Sequence, residues 1–164
     1  MIFVTVGSAP HDFTRLVEMM DQIANEISEE VVIQKGFTQF IPHAPKWFDF
    51  VSYDEAVKYF RSAKVIVGHS SAGPIMLARR FNRPLIIFPR DGGLKEHVDS
   101  HQIETAKAME GSSIMIEVVY DERELLGAVQ RAISKAEAGQ SYEESPALSS
   151  LIGYIQEFIQ KLKR

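Results

Sequence analysis

Residues 68–73 read GHSSAG, directly after the apolar run AKVIV (63–67) and before the helical pattern PIMLARRF (74–81). Small polar residues between a strand and a helix let a ligand approach the backbone. The helix is expected to begin near Ala72 or Gly73, and Pro74 suits its first turn, where an N–H has no helical partner. Free N–H groups at such a start attract anions, phosphate above all. Two more polar segments follow apolar runs: GSAPHDF (7–13) and PRDGGLKEHVDSHQIE (89–104). Gly7 allows a tight turn, and Ser8 can donate to an anion. Arg90, just after Pro89, is placed to meet a diphosphate bidentately. Arg79, Arg80 and Arg83 read as a solvated face.

Each segment also has a plainer reading. Gly7 and Ser8 fit an ordinary strand–helix turn with Asp12 as N-cap, and no G-x-G-x-x-G fingerprint is present. Ser70 and Ser71 fit simple caps. GHSSA nearly matches the hydrolase elbow G-x-S-x-G, with Ser70 as nucleophile, Asp91 or Asp99 as acid and His97 or His101 as base. Against it stand the short chain and Ala72 in place of the last glycine. His97 and His101 are four apart on an expected helix, but the pattern is not H-E-x-x-H and no clear fourth ligand exists, so no metal is expected.

These segments need elements to hold them. Apolar runs at 2–6, 31–34, 48–51, 64–67, 84–88 and 114–118 are short, rich in Val and Ile, and bounded by turn residues. The first, fourth and fifth suit strands buried on both faces. Phe13, Leu16, Val17, Met20, Ile23, Ala24 and Ile27 follow helical spacing. Further helices are expected over 54–62, 74–81, 95–110 and 122–137. Strand–helix alternation predicts an α/β fold: a Rossmann-like three-layer sandwich on a parallel sheet of about six strands. The anion-binding segments then share the carboxyl edge of the sheet, where such folds bind ligands. The expected domain covers 1–138. A polar linker, 139–146, leads to an amphipathic helix over 147–164, with Leu148, Leu151, Ile152, Ile155, Phe158, Ile159 and Leu162 on one face. That helix either docks a partner or folds back on its own sheet.

Composition narrows the function. The 164 residues suit one domain. A net charge of −4 gives no basic field for nucleic acid. Cysteine is absent, which excludes disulfides and thiolate metal sites and suits a cytoplasmic location. No apolar stretch approaches the roughly 18 residues that span a bilayer. Met1 leads straight into IFVTVG, so no signal peptide is expected.

Together the segments resemble the C-terminal, nucleotide-sugar-binding domain of GT-B glycosyltransferases of the family-28 type. IFVTVGSAPHDFTRLVEMMD is similar to that group's VTVGT…F..L opening. GHSSAGPIMLARRFNRPLIIFPRDGGLKEHVDSHQIETA is similar to its H-x-G-x-G…E-A…P-x-I-x-V-P…HQ core. The likeness covers about residues 1–135, and PR…EHV…HQ is its most specific part. The nearest variants are single-domain forms: the catalytic subunit of the dolichol-pyrophosphate GlcNAc transferase, and bacterial exopolysaccharide subunits.

The resemblance implies a UDP-sugar donor, UDP-GlcNAc or a related UDP-hexose, and no separate cofactor. It places Gly7 and Ser8 near the diphosphate, and His69, Ser70, Ser71, Ala72 and Gly73 in a phosphate-binding loop. Arg90, His97, His101 and Gln102 meet the donor sugar or diphosphate, with Glu104 beside them. It implies a lipid-linked acceptor held by a membrane-associated partner subunit, or association as a homodimer, and a peripheral position at the inner membrane face through that partner. Two positions depart from the pattern. Leu77 stands where the family carries a ribose-binding Glu, and Ser71 replaces a glycine. No catalytic base stands out, so one is expected on the facing domain. A non-catalytic nucleotide-sugar-binding protein and a small serine hydrolase are the competing readings.

Overall fold

A computed structural model describes residues 1–143; the expected helix over 147–164 lies outside them. Six parallel strands form one sheet: β1 (Ile2–Thr5), β2 (Val31–Gln34), β3 (Lys46–Phe48), β4 (Val65–Gly68), β5 (Leu85–Ile87) and β6 (Ile116–Val118). Their order is β3-β2-β1-β4-β5-β6. The chain fills one side outward from β1, then restarts at β4 and fills the other. The reversal between β1 and β4 opens a crevice at their carboxyl ends. In register, Thr5 lies opposite both Gln34 and Gly68. The loops after β1, β2 and β4 therefore start level with one another.

Among the described residues five helices cover the sheet: α1 (Thr14–Ile23), α2 (Tyr53–Ser62), α3 (Ala72–Arg80), α4 (His101–Met109) and α5 (Leu125–Glu137). Side chains alternate along each strand, so the sheet feeds two cores. On one face Val4, Ile33, Val67 and Ile86 meet Leu16 and Val17 of α1 and Ala128 and Val129 of α5. On the other, Phe3, Ile66 and Ile87 meet Phe60 of α2, Ala78 of α3 and Ala106 of α4. Strands buried on both faces explain the unbroken Val/Ile runs.

Several boundaries differ from the sequence reading, two of them for a clear local reason. β3 spans 46–48 rather than 48–51 because Ser52 starts α2 through a full capping box with Glu55. That leaves Phe50 and Val51 in the loop. Helix α1 stops at Ile23 rather than Ile27. Helix α4 begins at His101 rather than at residue 95. Gly92–Leu94 form a single 3-10 turn, Lys95 after it takes a left-handed φ of 61°, and the Asp99 carboxylate accepts from His101 N at 3.1 Å. His97 thus sits on a loop and His101 opens a helix.

After α5 the chain turns at Gly139, whose φ is +67°. Tyr142 packs against the second core. Its N–H donates to Asn82 Oδ1 at 3.0 Å and its hydroxyl to Arg83 O at 3.1 Å. The described part of the expected linker is therefore fastened to the C-terminal end of α3. No helix among the described residues is long and apolar enough to cross a membrane.

Candidate functional site

The crevice floor begins with Gln34, the polar end of an otherwise apolar strand. It is buried, and its side-chain amide is fully used. Its Oε1 accepts from Thr5 Oγ1 at 2.7 Å and from Gly7 N at 3.1 Å. Its Nε2 donates to Gly7 O at 3.0 Å and Asp49 O at 2.9 Å. One side chain thus fixes the turns after β1 and β3. Gly7 turns with a φ of +75°, and a Cβ there would lie 2.5 Å from the His69 ring. Its glycine is needed for both reasons. Its N–H is spent on Gln34 and Thr5, so it is not free for a ligand.

Above this floor opens a cavity of about 440 Å³, a usual size for a small-molecule site. Gly7, Ser8, His69, Ser71, Gly73 and Leu77 line one side; Phe50, Val51 and Tyr53, from the loop after β3 and the start of α2, line the other. α3 starts at its edge with Ser71 as an uncapped N-cap. Ser71 N bonds His69 O at 3.0 Å, but the N–H groups of Ala72 and Gly73 have no partner among the described residues. Pro74 has none to offer. Free N–H groups at a helix start are of the kind that suit an anion. A Cβ at Gly73 meets nothing within 4 Å, so the approach is open. Among the described residues, no Lys or Arg lines the cavity. His69 adds no charge: burial above all, then the positive charge of Arg90, lowers its pKa to about 4.

Arg90 differs from the expectation that it meets a diphosphate. It is 0% exposed. Its Nη1 donates to His11 O and Asp12 O at 3.1 Å each and to Glu96 O at 3.0 Å, and its Nη2 to Val6 O at 2.9 Å. The guanidinium also sits 4.5 Å from the centre of the Phe13 ring. The cation is consumed in tying the loop after β1 to the loop after β5. Gln102 serves the same end: it is buried, and its Oε1 accepts from Arg90 N at 3.1 Å. Glu96 takes Arg15 bidentately at 3.0 and 2.9 Å and accepts from Asp91 N at 2.9 Å. The PR…EH…HQ pattern, read as ligand-binding, is here largely the fastening of two loops.

The remaining expected residues separate. Ser70 is 1% exposed, does not line the cavity, and its Oγ has no hydrogen-bond partner among the described residues. That removes it both as a ligand contact and as a hydrolase nucleophile, which needs an adjacent base. Asp12 is not the expected N-cap: Phe13 holds that position, and the Asp12 carboxylate accepts from Thr14 N and Gln39 N just ahead of the helix. His97 and His101 gather around Asp99. Glu104 is exposed on α4.

The sequence profile described as "Glycosyltransferase family 28 C-terminal domain" matches residues 1–162. The chain belongs to this family. No curated protein matches it in sequence. Among solved structures, the glycotransferase of kitacinnamycin superposes with a TM-score of 0.63 at 15% identity, covering 98% of this chain and 39% of that one. The glycosyltransferase SnogD from Streptomyces nogalater gives a TM-score of 0.49 at 16% identity, over 93% of this chain and 42% of its own. The first likeness establishes the shared fold, that of one half of a GT-B glycosyltransferase. This family 28 domain spans about two-fifths of those chains.

Sequence reasoning missed Gln34, the Arg15–Glu96 pair, and the cavity faces of Phe50 and Tyr53. Gln34 had a signal: a lone amide closing an apolar strand must bond something buried. The aromatic pair had none, because only the folded loop brings residues 50–53 opposite residues 69–77.

Two outcomes follow from this geometry. Arg90→Met leaves four carbonyls without their donor, so stability in urea denaturation should fall by about 3 kcal/mol. A loss below about 1 kcal/mol would contradict the fastening role. His69 stays neutral in the folded state down to about pH 4, whereas an unfolded histidine protonates near 6.5. Between those values the unfolded state binds more protons, so stability falls as pH drops, by about 3 kcal/mol across the window. Denaturation curves from pH 7 to 4 should show that loss in the parent and lose it in His69→Gln. Parallel pH profiles for the two would argue against a buried neutral ring.

Proposed function

We propose that this domain binds the nucleoside diphosphate end of a UDP-sugar and acts as the donor half of a hexosyltransferase. The observation that carries the reading is the start of α3: two unpaired N–H groups at the lip of a cavity whose far wall is aromatic. The N–H groups and the positive helix end suit a phosphate, and would stabilise the charge that develops on a departing UDP. The faces of Phe50 and Tyr53 suit a planar base. His69 and Ser71 lie between these two features, and neither brings charge. Leu77 stands on the wall with no hydrogen-bonding capacity, so a ribose there would be held without a carboxylate partner.

GlcNAc or a related hexose as the sugar, a lipid-linked acceptor, and a membrane-associated partner subunit belong to the same reading, as does polysaccharide biosynthesis as its setting. Their support is the resemblance to single-domain members of the family. Among the described residues that line the cavity, His69 is the one imidazole, and with its pKa lowered to about 4 it is too weak a base to take a proton from an acceptor hydroxyl. The reading therefore assigns that group to the facing half of the cleft, and holds the domain peripheral to the inner face of a membrane through that partner.

Gly73→Val tests the placement without disturbing the fold. A Cβ at this position has no neighbour within 4 Å outside its own helix, and valine is better tolerated in a helix than glycine. Titration calorimetry should show UDP affinity reduced at least about tenfold, equivalent to about 1.4 kcal/mol, with the thermal midpoint held or raised. Unchanged UDP affinity would place the nucleotide elsewhere. Leu77→Glu should tighten UDP by several-fold, the worth of about 0.5–1.5 kcal/mol for a regained hydrogen bond. Weaker binding in that variant would show that the ribose does not reach residue 77.

A further inference from the structure

Four of the chain's five histidines belong to the carboxyl edge of the sheet: His11 after β1, His69 after β4, and His97 and His101 after β5. Among them His97 and His101 are held around one carboxylate. His97 Nδ1 lies 3.3 Å from Asp99 Oδ1 but makes no hydrogen bond, and it is buried without any partner among the described residues. His101 Nδ1 contacts the same oxygen closely. The three ligand atoms all lie within 4.8 Å of one another. The rings meet edge to face at 4.5 Å, and the His11 ring stands 5.4 Å from that of His97.

The backbone prearranges this group. Lys95, in its left-handed conformation, turns the chain so that residues 96–100 form a loop before α4. Asp99 Oδ1 is anchored by His101 N. Gly92 closes the loop from below: a Cβ there would sit 2.6 Å from Asp99 O. Neither histidine is needed to satisfy a core polar group, and Asp99 is not needed for an Arg or Lys. Arg90 and Arg15 already have other partners. The His–Asp–His set is thus surplus to the fastening that surrounds it.

We propose that His97, Asp99 and His101 bind a divalent transition ion, of the zinc, cobalt or nickel class. Two imidazoles and one carboxylate favour such ions over magnesium or calcium, which prefer all-oxygen shells. Three protein ligands leave at least one position for water or an anionic oxygen, as in catalytic rather than structural sites. With no cysteine in the chain, imidazole is the donor here that suits an ion of this class. The H-x-D-x-H spacing brings the three together only because the loop replaces a helix over 95–100; on a continuous helix Asp99 would point away from the two histidines. The proposal does not depend on which nucleotide the cavity takes.

The test is titration of the full chain, free of any affinity tag, with cobalt(II) followed by visible absorption, then displacement with zinc. One equivalent of cobalt should give d–d bands, and zinc should remove them. His101→Ala should abolish the bands. Asp99→Asn should weaken cobalt at least about tenfold, a ligand-shell effect of the usual size. Both side chains are half exposed, so neither change threatens the fold, and circular dichroism checks that. His43→Ala, at a histidine 84% exposed in its side chain on the Asp21 side, should leave the bands intact. Absence of bands at millimolar cobalt, bands that survive His101→Ala, or bands lost equally in His43→Ala would each overturn the site.

Discussion

A fully buried guanidinium sets the terms for the rest of this domain. A charge without solvent must have partners, and Arg90 finds them in the carbonyls of residues 6, 11, 12 and 96. Those carbonyls belong to two loops that no strand pairing connects, one after β1 and one after β5. The loops cannot wander without stranding either the cation or its acceptors. Everything else at the carboxyl edge is measured from this fixed point. Gly7 follows Val6 directly, the His69 ring fits against Gly7, and the loop that carries Glu96 also carries His97. Glu96 extends the fastening outward by clamping Arg15, whose guanidinium lies 4.2 Å from the Phe88 ring centre.

The same cation shapes the electrostatics of the cavity without entering it. Arg90 adds to burial in keeping His69 neutral. Among the described residues the lining then has no cationic side chain, and an anion there would be drawn by the positive end of α3. Such a seat holds a phosphate by directed N–H groups rather than by a flexible charge, which costs little reorganisation when negative charge grows on a leaving group. The opposite wall is apolar and aromatic. The two halves of the cavity therefore ask for a ligand that is anionic at one end and flat at the other.

The sheet, its parallel sense and the edge that would bear the site were all legible in the sequence, because strands buried on both faces must read as unbroken Val and Ile runs. Gly73 and Ser71 were legible as a helix start for a similar reason: Pro74 has only one comfortable place in a helix. Arg90 was read at the right loop but in the wrong direction. Its position after Pro89 told where it was, and not whether its charge faced ligand or protein; that choice is made by carbonyls 80 residues away. Ser70 failed likewise, since adjacent serines on one turn point to opposite sides. The helix forecast over 95–110 foundered on Lys95 and the Asp99 turn, both features of backbone geometry that composition does not announce.

The openness around Gly73 and Leu77 has a consequence for how this domain changes over time. Residues such as Gly7, Gln34 and Arg90 are locked by close contact, so almost any replacement there first damages folding. A Cβ added at Gly73 has no neighbour within 4 Å among the described residues, and Leu77 is only partly covered. Selection for a stable chain is therefore nearly blind to Gly73, whereas Leu77, half-buried against the second core, contributes some packing of its own. Donor preference can drift at Gly73 with little penalty in stability, and the lip is the natural place for a designer to begin retuning which nucleotide the domain accepts.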